Sequence, residues 1–281
     1  MDVVSTVAEL KARVADARKA GLSVGLVPTM GALHVGHLSL VKRACAENDF
    51  VVVSVFVNPT QFNNPEDLRT YPRTLDADVD LLSANTSAAV VFAPAPQEVY
   101  PQPDTRVFSL GPVAEVMEGA HRPGHFNGVC QIVSKLFAYV SPDKAYFGEK
   151  DFQQIAVIRQ MVKICDFKLD IISCPIVREA DGLAVSSRNT LLTPEHRKAA
   201  PRIHAVLEES KALVGRMTPA ELIKWTTDKI NQEPLLCVEY YEIVDALTLQ
   251  PIGDWSESDA PHGCITVQAG NVRLIDNISL K

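Results

Sequence analysis

The sequence has no long apolar run, no paired cysteines and no excess of positive charge. The longest apolar run, Val51 to Val57, is interrupted by Ser54 and is far shorter than the ~20 residues that a membrane helix needs. The six cysteines form no Cys-x-x-Cys pair, which excludes a zinc ribbon and a thioredoxin-like motif. The formal net charge of −7 disfavours a sequence-independent nucleic-acid binder, because such proteins need a basic surface. We therefore expect a soluble, cytoplasmic protein with free thiols and with no nucleic-acid or membrane partner.

What the chain does contain is an alternation of helix and strand patterns. At ~150 residues per domain, its 281 residues correspond to about two domains. The β-branched run Phe50 to Val57 is typical of a parallel strand covered on both faces. Helices and strands alternate up to about residue 180, which predicts an α/β fold, and the remaining residues are typical of a smaller α+β unit. This change of pattern places a domain boundary between residues 175 and 190.

Four local predictions concern the N-terminal part of the chain. The spacing of apolar residues predicts a helix over Val3–Ala20. A short buried strand is predicted over Ser23–Val27, ending at Pro28, and a helix over Leu38–Ala46. The polar stretch Asn58–Thr74 contains three prolines and is predicted to be a long functional loop.

The first polar motif, Pro28–His37, lies between a predicted strand and a predicted helix. Gly36 lets the backbone approach a ligand closely, and a helix N-terminus presents N–H groups to phosphate. His34 and His37 are three residues apart, so they share one helix face and can donate two hydrogen bonds to a phosphate. A solvated turn with two capping histidines explains the same pattern about equally well. A zinc site would need a third ligand, and none is evident nearby.

Two later motifs are rich in groups that bind phosphate or carboxylate. In Gly148–Gln154, Lys150 can neutralise a phosphate and Gln154 can bind hydroxyl or carboxylate oxygens. In Arg178–Asn189, two serines followed by Arg188 suit a phosphate chain. Taken alone, the first of these motifs is more often a helix cap, and the second is equally well explained as a polar linker with an N-cap serine.

Three shorter polar segments point in the same direction. Asn58–Phe62 follows the Val51–Val57 strand, at the strand end where α/β folds bind ligands. Tyr71–Thr74 and His121–Gly128 add further anion-binding side chains. Together, the amides, the basic groups and the strand-end positions predict a site for a carboxylate and a polyphosphate.

These motifs resemble those of the pantoate–β-alanine ligase family. Met30–His37 is similar to the His-x-Gly-His signature of the nucleotidyltransferase superfamily, and the other motifs narrow the resemblance to this family. In chain order, the segments that carry it are Pro28–Gly31, Phe56–Phe62, Tyr71–Thr74, Arg122–Phe126, Phe147–Gln154 and Ser186–Asn189. One position departs from the family pattern, which usually has an acidic residue where this chain has Val35.

The resemblance implies an ATP-dependent ligase with a two-step reaction. The carboxylate of (R)-pantoate attacks the α-phosphorus of ATP, which gives pantoyl adenylate and pyrophosphate. The amine of β-alanine then displaces AMP, and pantothenate is formed. Mg²⁺ is the implied cofactor, because basic donors and a metal ion offset the repulsion between two anions. The resemblance also implies a Rossmann-like domain over residues 1–176, a smaller α+β lid domain over residues 177–281, and a homodimer.

The site residues are likewise implied by the resemblance. The catalytic residues are His37, His34, Lys150 and Arg188. Among them, His37 is implied to donate a proton to the departing phosphate. The ATP-binding residues are Met30, Gly31, Ala32, Leu33, His34, Val35, Gly36, His37, Gly148, Glu149, Lys150, Asp151, Val177, Val185, Ser186, Ser187 and Arg188. Gln61 and Gln154 are implied to hold pantoate, and Gln61 also to contact β-alanine. The metal ligands stay open among Asp76, Asp78 and Asp151.

Two other hypotheses stay open at this point. Another nucleotidyltransferase, acting on a phosphorylated metabolite, would share His34 and His37 but would not need Gln61 and Gln154. A nucleotide-sensing binding protein without turnover is suggested by Val35, whereas the intact basic residues oppose it. A synthetase acting on tRNA is disfavoured by the chain length and by the lack of a basic RNA-binding appendage.

Overall fold

The computed structural model describes all 281 residues and divides them into two compact units. The first unit contains residues 1–110, 122–149 and 154–175, and the second contains residues 111–121, 150–153 and 176–281. Two short segments from the first half of the chain and its middle, 111–121 and 150–153, thus belong to the second unit. The division into a domain over residues 1–176 and a domain over residues 177–281 stays a prediction.

A parallel sheet of six strands forms the centre of the first unit. Its strands are β1 (Asp2–Val4), β2 (Val24–Thr29), β3 (Phe50–Val55), β4 (Val90–Phe92), β5 (Lys144–Gly148) and β6 (Asp170–Cys174). Their order across the sheet is β1-β4-β3-β2-β5-β6, and every neighbouring pair is parallel. Four consecutive residues are buried in both β2 and β3. Because successive side chains of a strand point to opposite faces, both faces of the central sheet are covered.

Eleven helices accompany the strands. They are α1 (Val7–Lys19), α2 (Val35–Glu47), α3 (Pro65–Thr70), α4 (Leu75–Asn85), α5 (Pro96–Val99), α6 (Glu118–His121), α7 (His125–Val140), α8 (Phe152–Ile164), α9 (Pro194–Ala199), α10 (Arg202–Lys211) and α11 (Pro219–Asn231). Short 3-10 helices span Pro59–Gln61, Gly111–Ala114, Glu149–Asp151, Ser187–Leu191 and Trp255–Glu257. None of the helices has both the length and the apolar character needed to cross a membrane.

The prediction of a helix from Val3 is wrong at its start. Val3 lies in β1, which pairs with β4, and α1 begins only after Thr6. Thr6 Oγ1 accepts a hydrogen bond from the Glu9 N–H at 3.2 Å, and the Glu9 carboxylate accepts one from the Thr6 N–H at 3.1 Å. This reciprocal capping box sets the helix start. Val3 therefore has the spacing of a helical residue but lies in a strand.

Pro28 lies inside β2, although the sequence predicted that the strand would end there. It pairs with Ser54 of β3, whereas the pairing of β2 with β5 covers only Gly25 and Leu26. Pro28 therefore lies beyond the ladder with β5, and its missing N–H costs no hydrogen bond there.

Two further elements differ from their predicted limits. Helix α2 begins at Val35, three residues before the predicted start at Leu38, because His34 caps it. The stretch 58–74, predicted as a loop, contains a 3-10 helix at Pro59–Gln61 and helix α3. Asn64 precedes α3, and its side chain accepts a hydrogen bond from the Glu66 N–H, a local start signal that the prolines obscured.

The second unit contains an antiparallel sheet of three strands, β7 (Leu236–Asp245), β8 (Pro261–Ala269) and β9 (Val272–Ser279), in the order β7-β8-β9. Gly270, at φ +62°, lies in the turn between β8 and β9. Apolar residues of α10 and α11 join those of the sheet in one buried cluster. The predicted fold class, α/β with a smaller α+β part, is confirmed.

Candidate active site

The turn between β2 and α2 contains two consecutive residues in the left-handed region. Gly31 has φ +82° and Ala32 has φ +49°. A Cβ on Gly31 would lie 3.0 Å from Val55 Cγ1 and 3.1 Å from Asp78 Oδ2, so conformation and space both favour glycine. Thr29 stabilises the start of the turn, because its Oγ1 donates to a β3 carbonyl at 2.6 Å and accepts from the Gly31 N–H at 3.2 Å.

Asp78, on helix α4, holds the middle of this turn with a buried carboxylate. Oδ2 accepts a hydrogen bond from the Ala32 N–H at 3.0 Å, and Oδ1 accepts from the Leu33 N–H at 2.8 Å. Thr74 Oγ1 donates to Oδ1 at 3.1 Å. The residue is only 2% exposed, and charge-assisted hydrogen bonds of this kind offset the loss of hydration. Asp78 was predicted only as a candidate metal ligand, and the structure instead makes it the anchor of the turn.

His34 and His37 cap helix α2 reciprocally. His34 is the N-cap residue, and its Nδ1 accepts a hydrogen bond from the Gly36 N–H at 3.2 Å. His37 Nδ1 accepts from the His34 N–H at 3.3 Å. The centroids of the two rings are 4.0 Å apart. The sequence left phosphate binding and helix capping as alternatives, and the structure shows that both histidines cap.

Capping does not compete with phosphate binding, because it uses only one nitrogen of each ring. A nitrogen that accepts a hydrogen bond carries no proton, so the neutral rings of His34 and His37 bear their protons on Nε2. Both side chains are therefore held by Nδ1 and have the tautomer that donates from Nε2. Two adjacent N–H donors at a helix N-terminus are suited to an anionic ligand.

The position of this turn in the sheet is the one where parallel α/β folds bind ligands. The chain leaves β2 for β3 on one side, whereas β5 pairs with β2 on the other side, so the strand order reverses at β2. Ligands of open α/β sheets bind beyond the carboxyl ends of the strands at such a reversal. The turn follows β2, Asn58–Gln61 follows β3, and Gly148 ends β5. Three of the predicted motifs thus meet at one edge of the sheet.

Gln61 is oriented by two polar contacts in the first unit. Its Oε1 accepts a hydrogen bond from Asn58 Nδ2 at 3.1 Å, and its Nε2 donates to Met30 Sδ at 3.2 Å. The backbone carbonyl of Gln61 contacts His125 Nδ1 at 2.8 Å. Because thioether sulfur is a weak acceptor, a ligand carboxylate or hydroxyl would be a stronger partner for Nε2. The structure therefore brings Met30 and Gln61 together.

A buried amide supports Gln61, and sequence reasoning missed its role. Asn58 is 1% exposed, and its Nδ2 also donates to the Gly128 carbonyl at 3.0 Å. Tyr100 Oη donates to Asn58 Oδ1 at 2.8 Å. Burial raises the pKa of Tyr100 to about 12, so the phenol stays protonated and keeps this bond. The signal for Asn58 was its place directly after β3, whereas nothing in the sequence linked Tyr100 to it.

The remaining candidates of the first unit lie at the junction of β5 and α8. Gly148 is the last residue of β5, and a Cβ placed on it would have no neighbour within 4 Å. Glu149 begins a 3-10 helix, and Gln154 lies in the first turn of α8 with a half-buried side chain. The backbone around Gly148 is thus open to a ligand at the carboxyl end of the strand.

Lys150 and Asp151 belong to the second unit and form an ion pair. Their Nζ and Oδ1 atoms are 3.6 Å apart, and the Lys150 side chain is 20% exposed against 47% for Asp151. The pair is open to solvent at Asp151, so it contributes little stability and leaves Lys150 able to exchange partners.

The other candidates of the second unit lie on a hairpin and on the 3-10 helix that follows it. The Val185 N–H donates to the Val177 carbonyl at 3.0 Å, so these two predicted ATP contacts pair directly. Ser186 caps the 3-10 helix that follows, and its Oγ accepts from the Arg188 N–H at 3.3 Å. The sequence offered an N-cap serine as the alternative to phosphate binding, and the structure contains that cap.

A family model described as pantoate-beta-alanine ligase matches residues 2–279 of this chain. The chain belongs to the pantoate-beta-alanine ligase family. It is 59% identical to the pantothenate synthetase of Porphyromonas gingivalis over 99% of both chains. It is 57% identical to that of Bacteroides thetaiotaomicron over 100% of this chain and 99% of the relative.

Solved structures of ligases from this family have the same fold. Pantothenate synthetase from Thermus thermophilus superposes with a TM-score of 0.92 at 44% identity, over 100% of this chain and 99% of that one. A pantoate-beta-alanine ligase from Francisella tularensis, complexed with beta-gamma ATP and beta-alanine, superposes with a TM-score of 0.85 at 36% identity, over 100% and 98%.

Membership in the ligase family decides between the three hypotheses of function. The chain is an ATP-dependent acid–amine ligase that condenses pantoate with β-alanine and releases AMP and pyrophosphate. The hypotheses of another nucleotidyltransferase and of a sensor without turnover are therefore wrong.

Val35, the departure from the ligase family pattern, is the first residue of α2 and is 58% exposed. An acidic side chain at this position would interact favourably with the helix dipole. With Val35 in place of the acidic residue, the hydrogen bonds of His34, Gly36 and His37 are still made.

Proposed function

We propose that the ligase binds ATP at the turn between β2 and α2 and activates pantoate there as pantoyl adenylate. The observation that carries this proposal is the reciprocal capping of His34 and His37, which fixes two Nε2–H donors at the strand-order reversal. A carboxylate is a poor acyl donor until one of its oxygens belongs to a good leaving group. Adenylation provides AMP as that leaving group, and the amine of β-alanine then attacks the activated carbonyl.

The proposed phosphate-binding groups are few and lie within the motif segments, so a chain with a net negative charge can still bind anionic substrates. Charge accumulates on pyrophosphate as the bond to the α-phosphorus breaks, and N–H donors oriented beforehand stabilise that charge. His34 and His37 supply two such donors in the first unit. We also assign Lys150 and Arg188 to ATP binding, on the basis of the family motifs that contain them.

Mg²⁺ is proposed to accompany ATP and to be bound mainly by the phosphates. No group of three or more His, Cys, Asp or Glu side chains is arranged to hold a metal ion, and the Asp78 carboxylate already accepts three hydrogen bonds. Mg²⁺ commonly keeps several waters and binds one or two carboxylates besides substrate phosphates. The exposed Asp76 or the partly exposed Asp151 fits that requirement. The bound ion would supply neutralisation of phosphate charge.

Gln61 and Gln154 are proposed to hold pantoate, and Gln61 also to contact β-alanine. The support for Gln61 is that its Nε2 donates to Met30 Sδ, 3.2 Å away. Because thioether sulfur is a weak acceptor, a carboxylate or hydroxyl oxygen of pantoate would be a stronger partner. We also propose that the ligase forms a homodimer and acts in the cytoplasm. Its cysteines are all free thiols, which suits a reducing compartment.

Replacing Gln61 by Glu is expected to raise the KM for pantoate at least ~10-fold, because a carboxylate then faces the substrate carboxylate. The KM for ATP should change less than twofold. Steady-state kinetics with each substrate varied in turn measures both constants. Gln97→Glu is the control, since it makes the same change at an exposed position of the same unit. An unchanged pantoate KM in the Gln61 variant would remove this residue from the pantoate site.

The reaction itself is tested by its products. With ATP, Mg²⁺, pantoate and β-alanine, the purified protein should release AMP and pyrophosphate in equal amounts. Without β-alanine, exchange of labelled pyrophosphate into ATP should depend on pantoate, because the adenylate forms in the first step. Release of ADP and phosphate, or exchange that does not need pantoate, would contradict the proposed route.

A further inference from the structure

Two neighbouring polar residues are buried on the last strand of the second unit. Asp276 and Asn277, on β9, are 6% and 5% exposed. Side chains of these types are mostly exposed unless they have hydrogen-bond partners. The Asn277 N–H donates to Asp276 Oδ1 at 2.8 Å, so the two residues belong to one network.

Asn277 holds the backbone of Lys150. Its Nδ2 donates to the Lys150 carbonyl at 3.1 Å, and its Oδ1 lies 2.9 Å from His262 Nε2. A carbonyl can only accept, so the amide nitrogen faces Lys150 and the amide oxygen accepts a hydrogen bond from His262 Nε2. The His262 ring also stacks on Phe152, with centroids 3.8 Å apart and an interplanar angle of 5°. The short segment that carries Lys150 is thus held at two points.

Asp276 holds the hairpin that leads to Arg188. Both of its carboxylate oxygens accept hydrogen bonds from Arg178, at 2.7 and 2.9 Å, in a bidentate pair. Arg178 Nη1 also donates to the Gly182 carbonyl at 3.2 Å. The backbone of Arg178 forms an antiparallel β-bridge with Ala184 across the hairpin. The side chains of Arg178 and Asp276 are 20% and 5% exposed. A largely buried pair of this kind is weak evidence for stability, whereas its directional bonds define geometry.

We propose that Asp276 and Asn277 are positioning residues that orient two ATP-binding segments from one strand. Asn277 sets the position of Lys150, and Asp276 sets the hairpin that precedes Ser186–Arg188. The inference rests on the proposed roles of Lys150 and Arg188 in ATP binding. Asn277 contacts Lys150, and Asp276 contacts Arg178, through hydrogen bonds rather than apolar packing. A substitution that changes only the polar atoms of Asp276 or Asn277 will therefore shift a segment without creating a cavity in the core.

Asn277→Asp is the most direct test. The new carboxylate keeps an acceptor for His262 but places an oxygen opposite the Lys150 carbonyl, so attraction becomes repulsion. We expect the KM for ATP to rise about tenfold while the KM for pantoate stays within twofold. Asp276→Asn, which removes the charge that Arg178 faces, is expected to have the same ATP-selective effect. Ile278→Val is the control, because it loses one buried methylene on the same strand without changing the polar network.

A double-mutant cycle with Lys150→Ala separates this inference from the proposed function. Lys150→Ala keeps the backbone carbonyl, so adding Asn277→Asp should weaken ATP binding no further if Asn277 acts through the Lys150 side chain. Additive effects of the two changes would overturn the inference, and so would an unchanged KM for ATP in Asn277→Asp. If Lys150→Ala alone leaves the KM for ATP unchanged, the proposed role of Lys150 is wrong and the inference falls with it. Should Asn277→Asp yield no folded protein, Asn277→Ser, which has a donor of shorter reach, allows the same comparison.

Discussion

His37→Ala is expected to lower the turnover number at least ~100-fold. The variant loses the Nε2–H donor proposed to stabilise charge on the departing pyrophosphate, and losing one such donor typically costs a factor of 10² to 10³. It also loses the Nδ1 acceptor of the His34 N–H, which is one half of the reciprocal cap. Single-turnover formation of the adenylate measures the chemical step directly. Near-normal turnover would remove His37 from the mechanism.

Two further substitutions at His37 separate the cap from the donor. The Asn side chain places an oxygen near the position of Nδ1, so His37→Asn retains a cap and should have low turnover with near-native stability. Gln places an amide N–H near the position of Nε2, so His37→Gln should recover part of the activity if a hydrogen bond suffices. If delivery of a proton is required, His37→Gln will be as slow as His37→Ala, because an amide does not release a proton near neutral pH. Comparison of His37→Gln with His37→Ala therefore decides whether His37 acts as a hydrogen-bond donor or as an acid.

Asp78→Asn is expected to lower the free energy of unfolding by about 2–3 kcal/mol and to raise the KM for ATP at least ~10-fold. One carboxylate oxygen becomes an NH₂ group that faces the Ala32 or the Leu33 N–H, so a charge-assisted bond is replaced by two opposed donors. Ala32 is held at φ +49°, and a turn in this conformation needs support from its surroundings. Urea denaturation and steady-state kinetics measure the two effects.

Asp80→Asn is the matched control for Asp78, because Asp80 lies two residues further along the same helix with an exposed side chain. Its stability should stay within about 0.5 kcal/mol of the native value. Equal behaviour of the two variants would show that the Asp78 carboxylate does not hold the turn.

Local features of the fold and the site could be predicted from the sequence. Pro201 separates α9 from α10, because proline cannot continue a helix. Thr218 and Glu221 have the spacing of a helix start, and they form a capping box at the start of α11. His34, Gly36 and the strand before them form a local motif, because nucleotide binding at a strand–turn–helix junction depends on residues close together in the chain.

The sequence by itself determined the fold class, the ligase family and the segments that carry the predicted site. Only the tertiary structure decided which groups hold those segments in place. Asp78 reaches a turn 46 residues earlier, and Asn277 reaches Lys150 across 127 residues. Periodicity and capping signals arise from neighbours within a few residues, whereas these hydrogen bonds exist only after strands and helices from distant parts of the chain have packed. The same packing brings Asp78, a candidate metal ligand in the sequence, to the turn between β2 and α2, where its carboxylate accepts backbone hydrogen bonds.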